Sequence, residues 1–226
     1  MATQTYYGSN VASTTLATNV CKLSNTTGGT ETQTTATTGP SDTNSNEFVQ
    51  IKSKGGSSTG AASIATPTDG TAFGWLLDDT SLEGGSFATG NWSGVTNIIQ
   101  SSVGSLSTGV SMVLGLYKRS SGGVYTLIGS ITTTGVSLTG SKQQITFAAT
   151  SFSTVSFAVG DKLYIHRFVK GGSFPTSFWG SDAFKEYVSN SGTQGVANDL
   201  QITTPNFTPA GLTKLRISDG YGGLFQ

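Results

Sequence analysis

Apolar and polar residues alternate most clearly between Val110 and Tyr117. In a β-strand, successive side chains point to opposite faces, so every second residue lines the same face. This period predicts a strand with one core-facing row, which consists of Val110, Met112, Leu114 and Leu116. A Ser- and Gly-rich turn from Lys118 to Gly123 follows, and the apolar segment from Val124 to Ile131 returns. We therefore predict a β-hairpin here.

Further short strands are predicted where apolar or β-branched runs are bounded by Gly, Ser, Asn or Asp. After a tight turn at Val159–Lys162, the residues Leu163, Ile165 and Val169 share one strand face. Trp75 is a candidate core residue, and Trp92 to Gln100 is either a strand or a sheet edge. The other predicted strands are Tyr6–Tyr7, Leu16–Leu23, Phe48–Lys52, Thr71–Leu77, Gln144–Ala149, Thr154–Phe157 and Leu200–Thr204.

One segment, Ser181 to Asn190, has a helical pattern. Ser181 is a suitable N-cap, and Phe184, Tyr187 and Val188 are spaced three or four apart. Many short strands with at most one short helix predict an all-β fold. We expect an antiparallel β-sandwich of jelly-roll type with extended terminal arms.

The polar and apolar content of the chain suggests three parts. Residues 25–46 contain no Val, Leu, Ile, Met or aromatic residue, so this stretch buries too little apolar area to offset its ordering entropy. We predict a Thr/Ser-rich N-terminal arm with one or two short strands over residues 1–46, a β-sandwich core over 47–210 and a C-terminal tail over 211–226. Both arms are expected to become ordered against a neighbouring molecule.

Composition argues against most chemistry. Ser, Thr and Gly make up more than two fifths of the residues, whereas Asp, Glu, Lys and Arg make up 11%, against roughly 25% in an ordinary soluble domain. Twelve basic and twelve acidic residues cancel, so no basic face for specific nucleic-acid binding is expected. The single cysteine, Cys21, allows no internal disulfide. The chain has no signal-peptide pattern at its start and no apolar run long enough to span a bilayer, so we expect no membrane association.

Titratable residues offer few candidate sites. His166 is the only histidine and lies on a predicted strand face with Tyr164 and Phe168. We expect it to be structural rather than catalytic, and a His-only metal site is excluded by count. Asp78, Asp79 and Glu83 share one predicted turn, and Asp182 and Glu186 have helical i, i+4 spacing. A glycosidase pair or a Ca²⁺ site stays open for these acids, but turn-forming and solvent-facing roles are favoured. We expect no enzymatic activity, no catalytic residue, no cofactor and no metal.

Aromatic and terminal apolar residues are the remaining candidates. A Gly/Ser/Pro-rich segment after the Leu163 strand is crowded with aromatic rings, which either bind sugars or a neighbouring protein or close the end of the core. Leu224 and Phe225 either anchor on a partner subunit or dock locally. The candidate interaction residues are Phe174, Phe178, Trp179, Tyr187, Leu224 and Phe225.

Two segments resemble virion proteins of tailed bacteriophages. One is the hairpin from Gly115-Leu116-Tyr117-Lys118-Arg119 to Tyr125-Thr126-Leu127-Ile128-Gly129-Ser130. The other is Phe157-Ala158-Val159-Gly160-Asp161-Lys162-Leu163-Tyr164-Ile165, in which a G-D-[KR] turn leads into an apolar strand. The resemblance covers roughly residues 70–205. It implies a jelly-roll-like structural protein of the capsid surface, neck or tail, such as a cement or decoration protein, and it transfers no catalytic residue.

The resulting hypothesis is a non-enzymatic virion protein that binds and stabilises an assembled phage capsid. Its expected partners are the major capsid protein or other virion proteins, and it is expected to be made in the host cytoplasm and to reside in the virion. We also expect a homo-oligomer, for which a trimer is one possibility. The alternative is a carbohydrate- or receptor-binding β module of a tail or fibre. A third hypothesis is a degradative enzyme that uses a carboxylate pair.

Overall fold

The computed structural model describes residues 2–16, 20–25, 48–50, 66–70, 72, 74–100, 109–137, 143–170, 184–187 and 200–211. Within these ranges the regular structure is entirely β, which confirms the predicted all-β class. The strands are β1 Ala2–Ala12, β2 Val20–Ser24, β3 Phe48–Gln50, β4 Gly74–Leu77, β5 Ser86–Phe87, β6 Gly90–Gln100, β7 Val110–Arg119, β8 Tyr125–Val136, β9 Gln143–Phe152, β10 Val155–Ser156, β11 Lys162–Lys170, β12 Phe184–Tyr187 and β13 Gln201–Thr208. The described residues include no helix long and apolar enough to cross a membrane.

The strands form one large sheet that is nearly closed on itself. Its main path runs β9-β6-β13-β1-β2-β4-β11-β7-β8. β2 and β4 pair in parallel, and the other pairs of described strands are antiparallel. The two end strands of this path, β8 and β9, lie side by side, and a side-chain hydrogen bond connects them. This arrangement is consistent with a jelly-roll-like β fold.

The predicted hairpin is confirmed, as are three residues of its core row; the side chain of the fourth, Val110, lies outside the described residues. β7 pairs with β8 over its whole length, and Met112, Leu114 and Leu116 are fully buried. Leu163 and Ile165 of β11 are buried beside them, while the side chain of Val169 lies outside the described residues. These rows are part of one inner core between the two sides of the sheet.

Aromatic rings fill the inner core. Phe87 lies at its centre, with ring centroids 4.9 Å from Trp92, 5.8 Å from Phe157 and 4.9 Å from Phe207. Trp75 is buried, as predicted, and its indole N–H donates to the Ser9 carbonyl at 3.0 Å. The polar end of this large side chain therefore has a hydrogen-bond partner, as buried indoles usually do.

The predicted helix is wrong where the structure describes it. Residues Phe184–Tyr187 form strand β12, which pairs with β3 on one side and with β6 on the other. Four residues with bulky side chains satisfy a strand as well as a helix, and the sheet offers partners for their backbone groups. Sheet pairing therefore prevails over a weak local preference.

Three strands extend beyond their predicted positions. β1 has 11 residues rather than two, and β6 is an interior strand, with β9 on one side and β13 and β12 on the other. β13 continues through Pro205 because two residues there oppose the single residue Gln4 in a bulge. The Thr204 hydroxyl bonds to both the N–H and the carbonyl of Gln4 in this bulge, at 3.3 and 3.2 Å. A bulge is where a strand tolerates a proline.

β1 and β2 belong to the sheet, although both lie within the segment predicted as an N-terminal arm. Residues 26–47 and 212–226, which carry the predicted arm and tail, lie outside the described residues. The division into arm, core and tail therefore stays a prediction.

Candidate interaction surface

The nearly closed sheet forms a barrel, and three turns meet at one of its ends, which we call the loop end. They are residues 78–85, 120–124 and 157–161. Gly84 donates its N–H to the Phe157 carbonyl at 2.7 Å, and Gly160 donates its N–H to Glu83 Oε1 at 3.0 Å. A Cβ at Gly160 would lie 2.7 Å from that of Ser121, so the second and third turns touch closely.

The predicted turn before β11 is present in the loop end. Asp161 accepts a hydrogen bond from the Ala158 N–H at 2.9 Å through its carboxylate, and its own N–H donates to the Ala158 carbonyl at 3.1 Å. Gly160 has a φ of 82°, which residues with a Cβ rarely adopt. Lys162 donates to the Asp78 carbonyl and so connects this turn to the first one. Each residue of the G-D-K sequence therefore has a structural use.

The acids weighed as a catalytic pair are engaged with neighbouring backbone and hydroxyl groups. Asp78 accepts from the Ser13 hydroxyl at 2.9 Å and from the Thr14 N–H at 2.7 Å. Asp79 accepts from the N–H and the hydroxyl of Ser81 at 2.9 and 2.5 Å. These contacts fit the turn-forming role that the sequence favoured. Among the described residues, no group of three or more His, Cys, Asp or Glu side chains is arranged to hold a metal ion.

Asp182 lies outside the described residues. Glu186 lies in β12 rather than in a helix, so its helical i, i+4 spacing from Asp182 does not apply.

A tyrosine cluster covers the outer side of the sheet opposite the inner core. It consists of Tyr117, Tyr125 and Tyr164, with ring centroids 6.1 Å apart for Tyr117 and Tyr164 and 5.1 Å apart for Tyr125 and Tyr164. At the rim of the tyrosine cluster, Arg119 forms a bidentate ion pair with the Asp69 carboxylate. Its Nε donates at 2.7 Å and its Nη2 at 2.6 Å. This hydrogen-bonded pair lowers the pKa of Asp69 and raises that of Arg119.

His166 extends this cluster. Its Nδ1 lies 3.0 Å from the Tyr164 hydroxyl, so the two residues share a face, as the alternation predicted. Burial lowers the pKa of His166 to about 4, because the charged ring would lose its hydration. The ring is therefore neutral near pH 7 and is held among aromatic side chains.

The outer faces of β8 and β9 form a surface of a different kind, which we call the hydroxyl face. Neither strand contains Asp, Glu, Lys, Arg or His over its 12 and 10 residues. Inward-facing Ile131, Ile145 and Phe147 are buried and fix the register of both strands. The exposed residues of the two strands are Thr126, Leu127, Ser130, Thr132, Thr134, Gly135, Gln144, Thr146, Ala148, Ala149 and Ser151.

A cleft of about 310 Å³ lies where the hydroxyl face meets the loop end. It is bordered by residues 126–128 on one side and 153–156 on the other, and by Lys118, whose ammonium lies 3.1 Å from the Ser156 carbonyl. Large apolar side chains are exposed around it: Leu127 at 55%, and Val124 and Val159 at the tips of the adjoining turns at 64% and 77%. The loop end thus combines apolar tips with a cleft whose walls are both polar and apolar.

The candidate residues from the sequence lie almost entirely outside the described residues. Phe174, Phe178, Trp179, Leu224 and Phe225 are all outside them. The backbone of Tyr187 lies in β12 opposite Phe48, and its side chain is not described. Sequence reasoning missed the hydroxyl face, although its signal was available as two successive predicted strands without a charged residue.

Comparisons with known proteins give little further information. No family model matches the chain, and no curated protein matches it. Among solved structures, the chain is similar to the Eiger TNF of S. frugiperda at 13% identity and a TM-score of 0.22. That match spans 46% of this chain and 60% of the other.

Proposed function

We propose that this chain is a non-enzymatic structural protein of a tailed-bacteriophage virion, which binds and stabilises the assembled capsid as a cement or decoration protein. The observation that carries the proposal is the hydroxyl face: two adjacent strands with exposed Thr, Ser, Gln and Ala side chains and no charge. The resemblance of the β7–β8 hairpin and the G-D-K turn to phage virion proteins gives the partner class.

The chemistry of the hydroxyl face suits docking on a preformed protein shell. Burying a charged group at an interface is costly unless it is paired, and the centres of protein interfaces are depleted of charge. Hydroxyl and amide side chains exchange hydrogen bonds with water for hydrogen bonds with a partner at smaller cost. The buried residues Ile131, Ile145 and Phe147 also hold this surface rigid, which lowers the entropy lost on binding.

Weak contacts of this kind gain strength from repetition. A capsid lattice presents the same surface many times, and a symmetric homo-oligomer, such as a trimer, engages several of these surfaces at once. Asp78, Asp79, Glu83 and His166 already have roles in holding turns and the tyrosine cluster, which favours a binding protein over a hydrolase.

Co-sedimentation with purified capsids and, separately, with tails tests the proposal. We expect binding to capsids that persists as salt is raised, because few ion pairs contribute to it. Thr132→Glu and Thr146→Glu each place a charge on the hydroxyl face and are expected to reduce binding by at least about tenfold, which corresponds to roughly 1.4 kcal/mol. Thr3→Glu, at an exposed position of β1, is the matched control and should bind like wild type.

Failure to sediment with capsids, or release from them at moderate salt, would overturn the proposal. Specific binding on a glycan array would instead support the receptor-binding alternative. Polysaccharide hydrolysis that is lost in Asp78→Asn or Asp79→Asn would support the enzyme hypothesis.

A further inference from the structure

The exposed apolar side chains of the described residues are concentrated at the loop end. Val124, Leu127 and Val159, which we call the apolar tips, are each more than half exposed. Val124 and Val159 belong to the second and third turns, which touch at Ser121 and Gly160, and Leu127 follows Val124 by three residues. Single exposed apolar residues are common on protein surfaces, whereas several of them at one place are typical of interaction sites.

The turns hold the two valines in place without burying them. In the third turn, Val159 is followed by Gly160, whose φ of 82° is the conformation that the third position of such a turn requires. The Asp161 N–H closes this turn by donating to the Ala158 carbonyl at 3.1 Å, and the Val124 carbonyl accepts from the first residue of the second turn at 2.8 Å. Neither turn needs an apolar side chain at its valine, and a tip that is already ordered loses little entropy when it binds.

The three turns of the loop end are acidic. They contain no Lys or Arg, and their four carboxylates are those of Asp78, Asp79, Glu83 and Asp161. The neighbouring cations have partners already: Arg119 pairs with Asp69 at 2.6 Å, Lys118 lies 3.5 Å from Asp161, and Lys162 donates to the Asp78 carbonyl. Because the Arg119–Asp69 pair is neutral, four carboxylates and two lysines leave a net charge of −2 at this end of the barrel.

Two of these carboxylates are available to a partner. Glu83 accepts from the N–H of Gly160, the residue after Val159, at 3.0 Å, and Asp79 is exposed and accepts from Ser81. Within the described ranges, neither carboxylate forms an ion pair. A molecule that covers Val159 therefore places its own groups next to negative charge. This favours a partner with a basic border and disfavours an anionic lipid surface.

The small size of the apolar tips indicates the kind of partner that they suit. A stable pairwise interface buries roughly 800 Å² on each partner, which three partly exposed aliphatic side chains do not supply. A symmetric dimer through the loop end would also bring two acidic borders together. A small contact adds affinity where another contact already holds the two molecules, because it then forms at a high effective concentration. Leu127 provides this continuity, since it is an exposed residue of the hydroxyl face.

We propose that the loop end is a second docking surface for the assembled capsid, continuous with the hydroxyl face through Leu127. Val124 and Val159 enter a shallow apolar depression of the capsid surface, and Lys or Arg side chains at its border face Asp79 and Glu83. Burial of the apolar tips supplies affinity, whereas the charges mainly orient the approach and raise the association rate. The capsid is the partner here as well, so this surface rests on the proposed function, but the two valines lie in turns outside the hydroxyl face.

Co-sedimentation of variants of the full chain with purified capsids tests the apolar tips. Val124→Ser with Val159→Ser should weaken binding by at least about tenfold, because two apolar side chains are no longer buried. Val124→Ile with Val159→Ile is the matched control, which keeps both tips apolar and should bind at least as tightly as wild type. Both positions are exposed, so thermal unfolding should be the same in the two variants. Leu127→Ser is an independent variant that should also weaken binding.

The outcomes separate this surface from the proposed function. Binding of the Ser variants that equals that of wild type, or a similar loss in the Ile variant, would overturn the second docking surface and leave the hydroxyl face in place. Failure of the wild-type protein to sediment with capsids would overturn both. Binding to phosphatidylcholine vesicles that is lost in Val124→Ser with Val159→Ser would place the tips on lipid, and dimerisation that is lost in that variant would place them on a second copy; either result would overturn the proposal.

Association kinetics test the acidic border. Asp79→Asn with Glu83→Gln keeps the hydrogen-bond acceptors for Ser81 and Gly160 but removes both charges. At low salt this variant should bind capsids about threefold more slowly than wild type. At high salt the two rates should be equal, because salt screens the charges. An unchanged or faster rate at low salt would contradict a basic border on the partner.

Discussion

The strands β7 and β11 contrast with β8 and β9 in how their two faces are covered. In β7 the residues Met112 to Tyr117 are all buried, so both faces of the strand are covered. In β8 and β9 exposed and buried residues alternate, and the exposed row carries hydroxyl, amide and small side chains. The first pair shows how the fold is held together, whereas the second leaves a rigid face available for a partner. The packing that stabilises the fold and the proposed docking surface therefore lie on different strands of one sheet.

Substitutions in the core row of β7 should have the largest effect on the free energy of unfolding, and substitutions on the hydroxyl face should have little. Leu114→Ala removes a fully buried side chain and should lower the free energy of unfolding by roughly 2–5 kcal/mol. Thr132→Ala on the exposed row of β8 should change it by less than about 0.5 kcal/mol. Denaturant unfolding measures both values. Similar losses in the two variants would remove the distinction between the regions.

The free energy of unfolding should depend on pH through His166, which lies on the face of β11 that packs in the tyrosine cluster. His166 has its pKa lowered to about 4 by burial, whereas in the unfolded chain its pKa is about 6.5. The unfolded state therefore binds more protons between these values, and stability should fall as pH decreases from about 6.5 to about 4, by roughly 3 kcal/mol. Asp69, whose pKa is lowered, loses its contribution only below its ordinary value of 3.8.

His166→Asn should flatten this dependence while keeping a polar atom near the Tyr164 hydroxyl. Urea unfolding at intervals of pH from 7 to 4 provides the measurement. An unchanged slope in the variant would assign the pH dependence to other groups.

The ion pair at the rim of the tyrosine cluster should contribute less to stability than Leu114 or His166. Arg119→Met removes the bidentate contact with Asp69 and should cost about 1 kcal/mol, because Asp69 is partly exposed and water screens the pair. Asp69→Asn should cost less, since an amide oxygen still accepts one of the bonds from Arg119 or Tyr125. Thermal unfolding compares the two variants. A larger loss in Asp69→Asn than in Arg119→Met would reverse this ranking.

The parts of the fold that sequence predicted are those with local causes. The β7–β8 hairpin and the turn at Gly160 and Asp161 follow from alternation and turn residues that are close together in the chain. The interior position of β6 did not follow, because it depends on β9, β12 and β13, which are remote in sequence. Nor could sequence place Pro205 within a strand, since the bulge that accommodates it is formed with Gln4.

Sequence reasoning missed the hydroxyl face for a related reason. Aromatic residues favour Phe174, Phe178 and Trp179 as candidates, because exposed rings are a familiar sign of binding. The hydroxyl face carries no such residue, and it becomes a surface only when β8 and β9 lie side by side. A pattern defined by missing charge in two strands is visible in the sequence, but its meaning depends on their adjacency.

The position of β1 has a consequence for synthesis of the protein. β1 lies between β2 and β13, and Gln4 bonds to Thr204, a residue 200 positions later. At roughly 5–20 residues per second, a ribosome needs roughly 10–40 s to add that length of chain. β1 therefore waits with one edge unpaired long after it has been made. Its Thr, Gln and Ser residues are poorly suited to joining apolar strands of other nascent chains, so this barrel closes late, after a delay that its N-terminal strand tolerates.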